Sequence, residues 1–363
     1  MENLVMTDIQ TTYQGKKVFL TGHTGFKGAW LLRWLHLLGA QVKGYALAPA
    51  NADDLYNLIA GDSLCESVLA DLRDATQVEQ EILSFQPDFI FHLAAQPLVR
   101  LSYEVPAETF MVNAIGTAYV LDAVRKLEKP CTVVLITTDK VYENKEWVYP
   151  YRETDRLGGY DPYSASKACA ELVINSYVQS FFNPAAFAQH QKAIVSARAG
   201  NVIGGGDWAK DRIIPDIVRA LRAGQPVTVR NPCAVRPWQH VLEPLGGYLL
   251  LGARLAAEPL SYGGAWNFGP HAEDNKTVGD LVAIAIAAWG SGNYEVPALV
   301  GQPHEAGLLK LDINKAVNEL HWQPKYSAAQ AIDKTLAWYK NFNLDRASAS
   351  RLVEEDIQAY TNA

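Results

Sequence analysis

The first two hundred residues alternate short apolar runs with stretches of helical period. Lys17–Thr21 (KVFLT) reads as a buried strand, followed by strands at Gln41–Leu47, Ser67–Ala70, Asp88–Leu93, Thr132–Thr138 and Ala193–Ala197. Between them Gly28–Leu38 (GAWLLRWLHLL), the stretch from Asp74 through Phe85, Pro106–Lys126 and Pro162–Phe181 have helical spacing. Gly39 stands where a C-capping glycine belongs, and Asp74 is placed to cap its helix. Repeated strand–helix units predict an α/β fold, a doubly wound parallel Rossmann sheet with helices on both faces and ligands at the carboxyl ends of the strands.

Past about residue 200 the pattern loosens. Gly204–Gly206, Pro215, Pro226, Pro232 and Pro237 punctuate shorter elements, with helices expected at Ile213–Ala223, Pro244–Ala257, Val278–Trp289, Asn314–Leu320 and Ala328–Tyr339. The expected division is a cofactor-binding domain over 1–200 and a smaller, mainly substrate-binding lobe over 201–363, the chain crossing between them more than once.

Composition narrows the function. A net charge of -7 argues against a nucleic-acid surface, which needs clustered positive charge. Cys65, Cys131, Cys169 and Cys233 form no CxxC pair, so neither a disulfide framework nor a zinc site is expected, and a reducing cytoplasm fits. No cluster of His, Cys and carboxylates has metal-ligand spacing, so no metal is expected. The start, MENLVMTDIQ, lacks the apolar run of a signal peptide. Leu245–Ala257 is apolar but too short to cross a bilayer, and Arg254 interrupts it, so no membrane partner is expected.

Candidate chemistry starts at Thr21-Gly22-His23-Thr24-Gly25-Phe26-Lys27-Gly28, which follows the first strand and opens the first helix. Gly22 permits a tight turn, Gly25 lets backbone approach a pyrophosphate, and Gly28 lets the helix pack close to the strand. The first helical turn then offers free N–H groups to phosphate. Lys27 is a candidate for a cofactor phosphate, or else lies on the helix surface. Asp71, after the third strand, either accepts from an adenine amino group or caps the following turn. The second strand ends in Tyr45, Ala46 and Leu47 with no acid for a ribose hydroxyl; Asp53 and Asp54 lie further into the loop.

Tyr163-Ser-Ala-Ser-Lys167 places a phenol and an ammonium one turn apart. The ammonium is expected to favour the phenolate, which can take the proton of a sugar hydroxyl as hydride leaves. Thr138, expected to end the fifth strand, can hydrogen-bond the same hydroxyl. His92 reads as a structural residue near the cofactor.

These motifs, with HLAAQPLV at 92–99, Asn113 in NAIGT, TTDKVY at 137–142, RAGNVIGGGDW at 198–208, RPWQHV at 236–241 and QPHEA at 302–306, resemble the extended short-chain dehydrogenase/reductase family. Thr138-Asp139-Lys140 stands where nucleotide-sugar 4,6-dehydratases carry Thr-Asp-Glu. The lysine version resembles the CDP branch of those dehydratases. The resemblance implies NAD as cofactor, with Leu93, Ala94 and Ala95 beside it, and CDP-glucose as substrate. It implies oxidation at C4, loss of water across C5 and C6, and reduction at C6, as in deoxysugar supply for polysaccharide. Asp139 is then the acid for the C6 hydroxyl, a role that needs its proton in place when substrate is bound. Lys140 either removes the C5 proton as a neutral amine or stabilises the enolate as a cation. Asn201, Arg212, Arg236 and His304 are implied substrate contacts, the guanidinium matching phosphate oxygens two at a time. Relatives dimerise through two helices per subunit, which predicts a homodimer, or a dimer of dimers, through about 106–126 and 162–181, with a stripe of Val112, Ile115, Tyr119 and Ala123. Rival readings are a dTDP-, UDP- or GDP-sugar dehydratase, a 4-epimerase, and, in another class, a catalytically silent NAD-binding regulator. The last predicts loss of Thr138, Tyr163 or Lys167, and all three are intact.

Overall fold

The computed structural model describes residues 9–297 and 306–363. Strands β1 (Lys17–Thr21), β2 (Gln41–Ala46), β3 (Glu66–Leu69), β4 (Phe89–His92), β5 (Cys131–Ile136), β6 (Lys192–Ala199) and β7 (Gly264–Phe268) form one sheet in the order 7-6-5-4-1-2-3. Every pairing in it is parallel. The order reverses between β1 and β4, which opens a crevice at the carboxyl ends of the strands.

The main helices are α1 (Phe26–Leu37), α2 (Ala75–Phe85), α3 (Val99–Glu104), α4 (Pro106–Phe110, continued by Met111–Ile115 and Gly116–Lys126), α5 (Pro162–Phe181), α6 (Ile213–Arg222), α7 (Leu242–Ala257), α8 (Val278–Trp289), α9 (Ala328–Leu344) and α10 (Ala349–Asn362), with single turns at Leu55–Leu58, Phe187–His190 and Asn314–Asn318. Their starts follow local chemistry. Asp74 accepts from the Gln77 N–H, and Asp161 accepts from Ser164 beside Pro162, whose fixed φ suits a first helical position. Thr277 with Asp280, and Ser327 with Gln330, form capping boxes. Gly39 takes φ +75 beyond α1, as a C-capping glycine should.

Two hydrophobic cores cover the two faces of the sheet. One gathers α1, α7, α9 and α10 around Trp30, Trp34, Tyr248 and Trp266; the other packs α2, α4 and α5 around Phe19, Ile90, Val120 and Leu135. At roughly 25 cal/mol per Å² of apolar surface, such burial dominates the stability.

The structure corrects the sequence reading in several places. α1 begins two residues earlier than expected, at Phe26. α4 is interrupted by a π-helical turn at Met111–Ile115. That turn aims the Asn113 amide at Gln96 and at Ser166 of α5, binding the loop after β4 to α5, a use typical of such bulges. β5 ends at Ile136, so Thr138 lies beyond the strand and caps a turn at Asp139–Val141. Finally, β7 and α10 were not expected. β7 is five residues opening on a glycine, and pairing with Val195–Ala199 of β6 is what makes it a strand.

Candidate active site

A cavity of about 1420 Å³ lies at the carboxyl ends of the strands, walled on its other side by chain beyond residue 199. At one end sits the glycine turn. Gly22 has φ +75, and a Cβ on Gly28 would lie 1.9 Å from the Gly22 carbonyl oxygen, so each needs to be glycine. Gly25 has room around it and, with Thr24, Phe26, Lys27, Leu93, Ala94 and Ala95, lines the cavity. The turn and the start of α1 thus form a backbone cradle of the size and polarity a pyrophosphate requires. The Thr24 hydroxyl fixes the cradle by donating to the Leu47 carbonyl, 2.8 Å away.

The His23 side chain turns away from the cavity, which leaves only its backbone to face a ligand. Its ring is fully buried away from the cavity, 2.8 Å from the Ser67 hydroxyl and over Gly44, where a Cβ would collide with it. Burial lowers its pKa to about 4. Lys27 neither lies on the surface nor stays beside the turn. It reaches inward to 5.6 Å from the Tyr248 ring, where burial and the Lys167 and Arg212 cations lower its pKa to about 7. Asp71 lines the cavity while accepting from the Arg73 backbone N–H (2.8 Å) and guanidinium (2.6 Å), so it shapes its turn and still offers lone pairs to a ligand. His92 is buried between Thr21 (2.8 Å) and Thr117 (3.2 Å) and neutral, as a structural histidine would be.

Thr138, Asp139, Lys140 and Tyr163 converge on one wall. The Thr138 hydroxyl donates to Asp139 Oδ1 at 2.9 Å, while Asp139 Oδ2 is buried without a partner. Tyr163 reverses an expectation. Its pKa is raised to about 12, because burial outweighs the lowering by the Thr138 hydroxyl and Arg212, and Asp139 adds to the rise. Lys167 does not line the cavity; its ammonium donates back to the Ile136 carbonyl at 3.3 Å, and burial lowers its pKa to about 8.

Beneath this wall runs a network that motif reading missed. Glu171, one turn past Lys167, accepts from Thr137 (2.5 Å), Ser196 (2.9 Å) and Arg198 (2.8 Å). Arg198 also donates to the Tyr142 hydroxyl at 2.9 Å, which donates to Asn267 of β7 at 2.6 Å. The four-residue spacing from Lys167 was the available signal, since it puts Glu171 on the same helix face.

Asn201, Arg212 and Arg236 line the same cavity. Asn201 Oδ1 is buried without a partner, Arg212 is 2.9 Å from Asp207, and Arg236 donates to the carbonyls of Val235 and Ala306. His304, and most of QPHEA, lie outside the described residues. Among the described residues no group of His, Cys, Asp or Glu is arranged to hold a metal ion, and no helix is long and apolar enough to cross a membrane.

Known proteins resemble this chain over most of its length. The CDP-glucose 4,6-dehydratase of Salmonella typhimurium is 49% identical over 328 residues, covering 90% of this chain and 91% of that one. The dTDP-glucose 4,6-dehydratase of Streptomyces antibioticus is 29% identical over 335 residues, 89% of this chain and 92% of that one. Among solved structures, the dTDP-glucose 4,6-dehydratase of Streptomyces venezuelae with NAD bound superposes with a TM-score of 0.77 at 24% identity, over 91% of this chain and 99% of that one. The family profile described as GDP-mannose 4,6 dehydratase matches residues 19–335, and the chain is a member of that family.

Proposed function

We propose that this protein converts CDP-D-glucose to CDP-4-keto-6-deoxy-D-glucose and water. The observation that carries the reaction class is Asp139, whose unpartnered Oδ2 sits on the same cavity wall as Tyr163. An epimerase needs only the oxidising pair, whereas expelling water from C6 needs an additional proton donor. The nucleotide follows from the 49% identity to the Salmonella enzyme that acts on CDP-glucose.

NAD bound at the cradle would supply the hydride acceptor for C4 and return that hydride to C6. The backbone of Gly22–Gly28 holds its pyrophosphate, Leu93, Ala94 and Ala95 flank it, and Asp71 faces its adenine end. Tyr163 accepts the proton of the C4 hydroxyl, with Thr138 hydrogen-bonding the same oxygen. Lys167 supplies positive charge behind the phenol. The C4 ketone acidifies the C5 proton, and Lys140 acts there as base, giving the proton back to C5 when hydride reaches C6, or as cation for the enolate. Asp139 protonates the leaving C6 hydroxyl. Asn201, Arg212 and Arg236 hold the diphosphate, with His304 assigned to the same substrate. The cofactor-binding role falls to residues 1–200 and substrate binding mainly to 201–363. We place the enzyme in the cytoplasm, consistent with four free cysteines, and assign a homodimer through α4 and α5.

The test is turnover of CDP-, dTDP-, UDP- and GDP-glucose by the purified protein with NAD+, followed by mass spectrometry. Loss of one water from CDP-glucose is the expected result. Loss from another nucleotide would move the base assignment, and a product of unchanged mass with inverted C4 would make the protein an epimerase.

A further inference from the structure

The main cavity runs into a smaller one of about 440 Å³, and Arg100, Asp211, Asp216, Thr228 and Arg230 line both. None of these has a part in the chemistry above. Arg212, next in the chain to Asp211, is close enough to Tyr163 to lower its pKa, and Asp211 lines the same cavity. The Asp211 carboxylate lies 3.2 Å from the Arg230 guanidinium and 3.9 Å from that of Arg100 on α3. Asp216 is occupied by Arg219 at 2.5 Å. Asp211 holds φ +64, a left-handed conformation that Asp tolerates better than most residues.

A nucleotide sugar with its hexose at Tyr163 and its diphosphate at Arg212 and Arg236 places its base further along this wall. Pyrimidines differ in the hydrogen-bonding edge they present. Cytosine has a 4-amino donor beside a ring-nitrogen acceptor; uracil and thymine have a 4-oxo acceptor beside an N–H donor. A carboxylate only accepts and a guanidinium only donates. With Asp211 and Arg230 fixed side by side, cytosine is matched in order, while uracil or thymine in the same seat sets its 4-oxo group against the carboxylate. Arg230 and, at longer range, Arg100 both lie against Oδ1 of Asp211, which leaves Oδ2 to accept from a ligand. Each ionised group keeps unused hydrogen-bonding capacity for the ligand.

We propose that Asp211, held by Arg230, selects the cytosine base by accepting from its 4-amino group. The proposal rests on the CDP-glucose reading and deepens it. Calorimetric binding of CDP and UDP to the wild type, Asp211→Asn and Arg230→Gln, with turnover of CDP- and UDP-glucose alongside, provides the test. The wild type should prefer CDP. Asp211→Asn should lose roughly ten- to a hundred-fold in CDP affinity with little change for UDP, the loss in kcat/KM being carried by KM. Arg230→Gln should narrow the CDP-to-UDP ratio in the same direction, and stands in if Asp211→Asn does not fold. Unchanged discrimination in the folded variants, with wild-type CDP-glucose turnover intact, overturns this inference alone. A wild type that turns over UDP- or dTDP-glucose in preference overturns the CDP reading and this inference with it.

Discussion

Burial governs the individual side chains at this site. Tyr163 has an ammonium one helical turn away, yet burial raises its phenol to about 12, against the lowering by Thr138 and the Arg212 charge. On the proposed mechanism Asp139 is the side chain that separates dehydration from mere oxidation. Asp139→Asn should cut overall turnover by roughly 10²–10⁴-fold while leaving C4 oxidation, seen as build-up of reduced-nicotinamide absorbance on mixing with CDP-glucose. Equal loss of both signals would remove Asp139 from the acid role. Lys27 gives a pH-dependence of stability. Its pKa falls from 10.5 to about 7 on folding, so between those values the unfolded chain binds more protons than the folded one. The stability of the unliganded protein should therefore climb with pH through that window, with the full cost of the buried ammonium present below it. Lys27→Met should melt a few degrees above the wild type below the window, and the gap should close toward its top. A gap independent of pH would mean that packing, not charge, sets the difference.

At the level of elements, α5 carries Tyr163, Lys167 and Glu171 at four-residue intervals, so one helix face presents the phenol, the ammonium and a carboxylate anchor. Glu171 and Arg198 are each 4% exposed, deep enough that removing one partner strands a charge in low dielectric. Glu171→Ala should cost about 3–5 kcal/mol in urea unfolding, and replacing both partners with apolar residues of similar volume should cost much less. Comparable losses for the single and double replacements would show that lost packing dominates. The pair also braces the candidate site, since Glu171 ties α5 to Thr137, one residue before the Thr138-Asp139-Lys140 segment. α1 and its glycine turn form a second such unit. Its spacing was plain in the sequence because a phosphate cradle is built from backbone and needs only local chain.

In the whole molecule, α4 and α5 pack side by side and leave Met111, Ile115, Leu172 and Phe181 exposed. Exposed apolar groups on adjacent helices suit burial against a second copy. Ala123, named in the expected stripe, is instead fully buried on its own sheet and cannot reach a partner, and Val112 and Tyr119 also pack partly on that core. Leu172→Glu should shift the protein from dimer to monomer in light scattering with little effect on thermal stability. A wild type that is monomeric at all concentrations would exclude the α4–α5 interface.

Sequence alone determined whatever depends on neighbours in the chain. The first six strands and the long helices between them, the glycine turn, the caps at Asp74 and Gly39, and the grouping of Thr138, Asp139, Tyr163 and Lys167 by motif were legible, because propensity, apolar period and turn geometry act over a few residues. Tertiary structure decided what depends on distant chain. Gly264–Phe268 became a strand through β6, Lys27 and His23 were sorted to opposite sides of one turn, and Asp211 met Arg100 and Arg230 across the cavity. No local pattern encodes these outcomes, since the desolvation and the charges responsible come from segments that only folding brings together.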